Sequence, residues 1–375
     1  MRSDAWKECR LGDVLPLLYG KGLRASERVR SGSVPVYGSN GPFDTHDKAL
    51  TSGPVVVIGR KGSIGQVHFV REPCWVGDTA FYISETDEID MYFAYCLLST
   101  LRLNEMNTDS AVPGLNRQNA QRLVVRLPPL EEQRAIAEVL GSVDERIESL
   151  RSVSRTAEAL LIEAYRGLPL QKYTAVEVGL LVEICGGATP STQDPSLWGG
   201  PHNWFTPRDL SNENSLVVSA SARKISDAGL SKIASGLLPV GTVLMSSRAP
   251  IGYVAVLSNP AAINQGFIAL PPSMGLSPAF LVAWIRTSLA MIIGRAGGST
   301  FPEVSKRNFR SLLIPQPEGP EYEAFASVGA SLLAVINHAS KERERLGEVR
   351  DALLPKLVSG EIRIEDPERL LDRAA

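Results

Sequence analysis

The sequence predicts an α/β (α+β) chain with two similar globular heads, separated by two long helices that pair as an antiparallel coiled coil. The predicted architecture is an internal repeat with pseudo-twofold symmetry. Three observations predict it: landmarks that recur at a nearly constant offset, a long heptad-patterned stretch after each set of landmarks, and a length of 375 residues, more than one core ordinarily fills.

The landmarks come first. Gly59-Arg60-Lys61-Gly62-Ser63-Ile64-Gly65-Gln66-Val67 aligns with Ser246-Ser247-Arg248-Ala249-Pro250-Ile251-Gly252-Tyr253-Val254 at an offset of 187. Each block follows a β-prone run, Val55 to Ile58 and Thr242 to Met245. Apolar helical stretches follow at Met91 to Leu101 and Ala279 to Leu289, offset 188. Ser277-Pro278 before the second reads as an N-cap with proline at the first helical position. Then Val112-Pro113-Gly114-Leu115-Asn116-Arg117-Gln118-Asn119 matches Phe301-Pro302-Glu303-Val304-Ser305-Lys306-Arg307-Asn308, offset 189.

A long helix is predicted to close each repeat. The first starts after Pro128-Pro129, with Glu131 and Glu132 suiting the positive end of the helix dipole, and ends near Gly167 and Pro169. Its apolar positions are Ile136, Leu140, Val143, Ile147, Leu150, Ala157, Leu161 and Ala164, with Ser154 filling the gap. Steps alternating between four and three make a coiled-coil seam. The second runs from about Glu321 through Phe325, Val328, Leu332, Ile336, Ala339, Leu346, Val349, Leu353 and Leu357, stopping near Ser359-Gly360. The predicted domains are therefore 1–129, helix 130–168, 169–320, helix 321–360 and a tail 361–375. A helix of about 37 residues spans roughly 55 Å, so paired seams would hold the two heads apart on a rod.

Composition bounds the function. At 44% hydrophobic and 21% charged, the chain has the make-up of a soluble globular protein. No apolar run is long enough for a membrane span, and Met1 to Arg10 does not look like a signal peptide. Cys9, Cys74, Cys96 and Cys185 are widely spaced, which suits reduced thiols in a cytoplasmic protein. The net charge of −2 is uneven: +1 over 1–129, −3 over 130–171, +3 over 172–320 and −3 over 321–375. The acidity lies in the helices and tail, which permits nucleic-acid binding by the heads without arguing for it.

Catalytic signatures are missing from the sequence. It contains no P-loop, no D/E-x-K core and no metal-ligand spacing among His46, His68, His202 and His338, and Gly20-Lys21-Gly22 is too short for a nucleotide loop. Asn259-Pro260 is followed by Ala261-Ala262, without the aromatic that an adenine methyltransferase motif requires. Two non-identical heads at fixed spacing suit duplex DNA, whose features repeat every 34–36 Å or so, and unlike heads imply unlike half-sites. The alternative is an adaptor whose heads bind protein or carbohydrate on a coiled-coil spacer.

Three segments carry a family resemblance. Leu127-Pro128-Pro129-Leu130-Glu131-Glu132-Gln133-Arg134-Ala135-Ile136-Ala137-Glu138-Val139-Leu140 and Asp351-Ala352-Leu353-Leu354-Pro355-Lys356-Leu357-Val358-Ser359-Gly360-Glu361-Ile362 resemble the conserved helices of specificity subunits of type I restriction–modification systems. Pro35-Val36-Tyr37-Gly38-Ser39-Asn40-Gly41 is similar to a motif of their target-recognition domains. The second helix departs by opening Glu318-Gly319-Pro320-Glu321-Tyr322-Glu323-Ala324, without the Glu-Glu-Gln-Arg block. The resemblance implies a non-catalytic subunit in which each head reads one part of an asymmetric, interrupted site on double-stranded DNA. It further implies helices that dock two methyltransferase subunits using S-adenosylmethionine, with motor-nuclease subunits using ATP and Mg for restriction. The chain itself would bind no cofactor and no metal.

Candidate DNA contacts are polar or basic residues on loops of the heads. They are Arg60, Lys61 and Ser63 with Ser247 and Arg248 in the second repeat, Ser39 and Asn40 in a glycine-bounded turn, Thr206 and Arg208, Asn264 and Gln265, and the pairs Asn116-Arg117 and Lys306-Arg307 before the helices.

Overall fold

The computed structural model describes residues 6–29, 31–107, 113–212, 215–248, 250–272, 275–298 and 302–364. Val112, Ala249 and Phe301 of the aligned landmarks, Met1 to Ala5, and 365–375 of the tail lie outside the described residues. The chain forms two compact units, Met1–Glu145 with Gly347–Ala375, and Arg146–Leu346.

In the first unit, strand Lys7–Arg10 pairs antiparallel with Val124–Leu127, joining the start of the head to its end. A four-stranded sheet runs in the order Leu18–Tyr19, Ala80–Ser84, Val55–Gly59, Val67–Val70. Val55–Gly59 lies inside this sheet and every residue of it is buried, so it is apolar throughout rather than alternating. A three-stranded sheet orders Gly41–His46, Val34–Gly38 and Trp75–Val76, the last pairing parallel. Helix Met91–Thr100 packs on the first sheet, and the Asp90 carboxylate accepts hydrogen bonds from the backbone N–H groups of Tyr92 and Phe93.

The second unit repeats the plan with changed edges. Thr174–Glu177 pairs with Leu313–Gln316, as the corresponding strands do in the first head. The four-stranded sheet is Val217–Val218, Val254–Leu257, Val243–Ser246, Phe267–Leu270, and the three-stranded sheet is Arg223–Ile225, Trp198–Phe205, Ala261–Ile263. The added strand, Val217–Val218, sits beside Val254–Leu257, whereas Leu18–Tyr19 sits beside Ala80–Ser84 in the first head. Lys7 and Thr174 are 167 apart, while Val67 and Val254 are 187 apart. The second head is thus expanded between its first strand and its central sheet, ahead of the landmarks that the sequence aligns. Ser277 caps helix Pro278–Thr287 through the Phe280 N–H. The expected single stretch to Leu289 breaks at Ser288, whose ψ of 11° leaves the helix before Leu289–Ile293 begins.

The long helices are Leu130–Arg166 and Pro320–Ser359. Within each unit they run antiparallel. Glu132 meets Arg363 and Asp144 meets Arg350 in the first unit, and Arg146 meets Glu342 while Leu161 faces Gly329 in the second. Each head's core takes residues from both helices. Ile136, Val139 and Leu140 join Leu357 and Val358 in the first unit, and Ala157, Leu161 and Tyr165 join Phe325 and Ile336 in the second. Ile147 and Leu150 are also buried, Leu332 and Leu353 pack at the margins of the cores, and Val143 and Leu346 are half-buried.

Two expected seam positions are corrected: Val349 is 44% exposed and Val328 is 50% exposed. At the first, the chain turns Arg350 inward to the Asp144 carboxylate, with guanidinium nitrogen and oxygen 2.9 Å apart. The Tyr92 hydroxyl donates to the same carboxylate. At the second, Gly329 takes the inner position, close against Ala279 of the head.

Candidate nucleic-acid interface

In the first head, four loop segments meet around the end of the central strand. The Arg60 carbonyl accepts from Leu115 N–H at 2.8 Å, Gly62 N–H donates to the Pro113 carbonyl, and Arg60 and Lys61 N–H groups donate to the Thr79 carbonyl. Gly65, at φ +69°, donates back to the Gly59 carbonyl and closes the loop. Ser39 lies against this loop, its Oγ and carbonyl oxygen facing Gly62 and Gly59, and exposed Asn40 sits at the tip of its turn. Ser63 is half-buried and Lys61 is exposed. Burial holds the imidazole of nearby His68 below its usual pKa, opposed by a backbone hydrogen bond at Ser39.

The side chains then converge on an aromatic ring that the sequence reading did not select. Tyr19 is 52% exposed, and the guanidinium carbons of Arg60 and Arg117 lie 5.4 and 5.3 Å from its ring centre. Arg117 Nε also donates to Gln121 Oε1, while Arg60 Nε is buried with no hydrogen-bond partner among the described residues. Sequence distance hid Tyr19, because nothing in Leu17-Leu18-Tyr19-Gly20-Lys21 ties it to a block beginning at Gly59. The usable signal was an aromatic directly before the Gly20-Lys21-Gly22 segment. Lys21 lies over Trp75, bordering an open cleft of 1060 Å³ of mixed charge, lined also by Arg24 and Lys48 and by Glu27, Asp47 and Asp78.

The second head places its candidates differently. Val304 N–H donates to the Ser247 carbonyl, as Leu115 does to Arg60, and Arg248 bridges Glu303 as Lys61 bridges Gly114. Ser247 is therefore the counterpart of Arg60. It is only 2% exposed, which corrects its expected place on an accessible loop. Arg248 is exposed but ion-paired with Glu303 at 3.1 Å. Thr206 N–H and hydroxyl both donate to Asp209 at 2.7 Å, capping the short helix Pro207–Asn212 that carries exposed Arg208. The Asn264 side chain accepts from Gly266 N–H, holding a turn, and Gln265 accepts from the Thr189 hydroxyl.

The paired residues expected in loops before the long helices lie on short helices instead. Asn116 caps Arg117–Gln121 through Asn119 N–H, and Ser305 caps Lys306–Arg310 through Asn308 N–H, so Arg117, Lys306 and Arg307 occupy first turns. Lys306 and Arg307 are exposed. The described residues contain no group of three or more His, Cys, Asp or Glu placed to hold a metal, and none of the described helices is long and apolar enough to cross a membrane.

Both repeats match one family profile, described as the type I restriction modification DNA specificity domain, over residues 3–158 and 171–327. The chain belongs to this family. Among curated relatives, the MjaIX type I restriction enzyme specificity subunit of Methanocaldococcus jannaschii is 35% identical over 44% of this chain and 39% of its own length. The EcoprrI specificity subunit of Escherichia coli is 27% identical over 40% of this chain and 38% of its own. The chain thus spans about two fifths of the length of these relatives. A crystal structure of a type I restriction–modification S subunit from M. genitalium superposes with a TM-score of 0.64 at 17% identity, covering 96% of this chain and 97% of that one. That likeness establishes the shared fold: two domains with long paired helices.

Proposed function

We propose that this member of the DNA specificity family is the specificity subunit of a type I restriction–modification assembly. Each head reads one part of an interrupted, asymmetric site on double-stranded DNA. The paired helices set the untouched gap and dock two adenine methyltransferase subunits, which use S-adenosylmethionine. Motor-nuclease subunits, using ATP and Mg, join for restriction. The chain contributes recognition and no bond-making step of its own.

The observation that carries this reading is the match of one DNA specificity domain to each repeat, on heads whose equivalent loop positions hold different residues. Equivalent backbone with unequal side chains suits two readers of unequal sequences, because backbone contacts position a protein on DNA while side chains at base edges specify. Arg60 and Arg117 over the Tyr19 ring, with exposed Lys61 on the same loop, suit phosphate.

Co-expression with the methyltransferase partner in a methylation-free bacterium, followed by genome-wide mapping of methylated adenine, tests the proposal. A single interrupted, asymmetric motif that vanishes when this chain is omitted is expected. A stable complex that methylates nothing would reject it and favour the adaptor alternative.

A further inference from the structure

We infer that the first head carries a phosphate clamp, Arg60 and Arg117 held over the Tyr19 ring, which grips the DNA backbone and has no counterpart in the second head. This rests on the DNA-reading proposal and adds to it that the heads share the electrostatic work unequally.

The clamp is built before any ligand arrives. Two like charges stand over a single ring, at 5.4 and 5.3 Å from its centre, and each gains from the ring's negative face. Among the described residues neither makes an ion pair, and one buried Arg60 nitrogen has no hydrogen-bond partner. Two guanidinium groups on one ring, with no carboxylate paired to either among the described residues, leave donor forks that phosphate oxygens accept, the geometry these groups prefer. Lys61, exposed on the same loop, and Lys21, two residues beyond Tyr19, extend the positive surface.

The repeat shows what the second head has in place of each part. Leu18 pairs with Tyr82 as Cys185 bridges Ala269, so Tyr19 corresponds to Gly186. Arg60 corresponds to buried Ser247, and Lys61 to Arg248, whose charge Glu303 offsets. Arg117 corresponds to Lys306. With no ring to rest on, Lys306 lies over Gly186, where a Cβ would come 2.8 Å from its Nζ. Platform and first arginine are absent, and the cation equivalent to Arg117 lies directly over the backbone.

The salt dependence of binding separates this clamp from a structural role, since each phosphate contact contributes about 0.9 to the slope of log affinity against log salt. The full chain would be titrated by fluorescence anisotropy with a mixed-sequence DNA duplex, from about 50 to 200 mM salt. The slope is expected to fall by about 1.8 in Arg60→Gln with Arg117→Gln, and by about 0.9 in Arg117→Gln alone. Lys306→Gln, the matched change in the second head, is expected to lower it by less than half as much as Arg117→Gln. The single variants change side chains that end at the surface, so they remain informative should the double variant misfold. Wild-type binding with an unchanged slope in Arg117→Gln overturns the clamp alone, and equal effects of Arg117→Gln and Lys306→Gln overturn the asymmetry. A wild-type chain that binds no duplex at low salt rejects DNA reading itself, and the clamp with it.

Discussion

Gly65 and Gly252 occupy equivalent places in the two heads, at φ +69° and +99°, and each donates its N–H back across the loop, to Gly59 and Ser246. A Cβ on Gly65 would fall 2.2 Å from the Asn104 nitrogen, so Gly65→Ala meets backbone as well as an unfavourable φ. We predict a loss of at least ~2 kcal/mol, read as a lower urea midpoint; an unchanged midpoint would show that the loop can re-form around a side chain. Cys185 gives a second residue-scale prediction. Burial and then the Glu183 carboxylate push its thiol up to about 11, so at pH 8 its thiolate is about a hundredfold scarcer than at an ordinary cysteine. Iodoacetamide should modify it correspondingly slowly, and labelling at the rate of a free thiol would contradict the assigned surroundings. At this scale the sequence was a partial guide. It marked the Gly65 and Gly252 loops through their shared motif, and it singled out Arg60 and Arg117, which the fold brings to one tyrosine ring. It could not distinguish half-buried Arg60 from its fully buried counterpart Ser247, because aligned positions share backbone and not exposure. Nor could it tell that Asn116 and Thr206 spend their polar groups on helix ends.

Helices were the most legible elements. Pro128-Pro129 and the acidic first turn place the start at Leu130, and Gly167 follows the last helical residue, Arg166. The seam was less legible where polar residues replace apolar ones. Arg350 stands inward beside exposed Val349 because the Asp144 carboxylate, itself held by the Tyr92 hydroxyl, receives it, a pairing that a hydrophobic pattern cannot register. Burial and this carboxylate also raise the Tyr92 phenol well above its usual range. Arg350→Leu leaves a half-buried carboxylate without its cation and should cost about 1–2 kcal/mol, a figure kept low because both partners retain solvent contact. Adding Asp144→Leu and Tyr92→Phe should recover stability to within about 1 kcal/mol of wild type, measured by urea unfolding. A triple variant no more stable than the single one would mean that the three groups act independently. Short strands such as Leu18–Tyr19 and Val217–Val218 went unread, since two residues carry no periodicity.

For the molecule as a whole, the repeat was visible through its landmarks, whereas the expansion ahead of the second central sheet was not, because the first strands share too little sequence to align. Exchanging residues 172–320 for the corresponding head of another family member should change one half of the methylated motif and leave the other, as genome-wide methylation mapping would show; a change in both halves would mean that the heads do not read independently. Inserting one helical turn into both long helices should lengthen the gap between the halves without altering either, and altered halves at constant gap would reject the helices as a ruler. One further consequence follows from the division of the chain. Residues 146–346 form one unit without interruption, while the other waits for Gly347 onward to supply Leu357 and Val358 to its core and Arg363 to the Glu132 carboxylate. On the ribosome, where domains generally fold as they emerge, the order of synthesis and the order of completion are therefore inverted. The head made first lacks Leu357 and Val358, the last two buried residues of its core, until after the head made second has been synthesised.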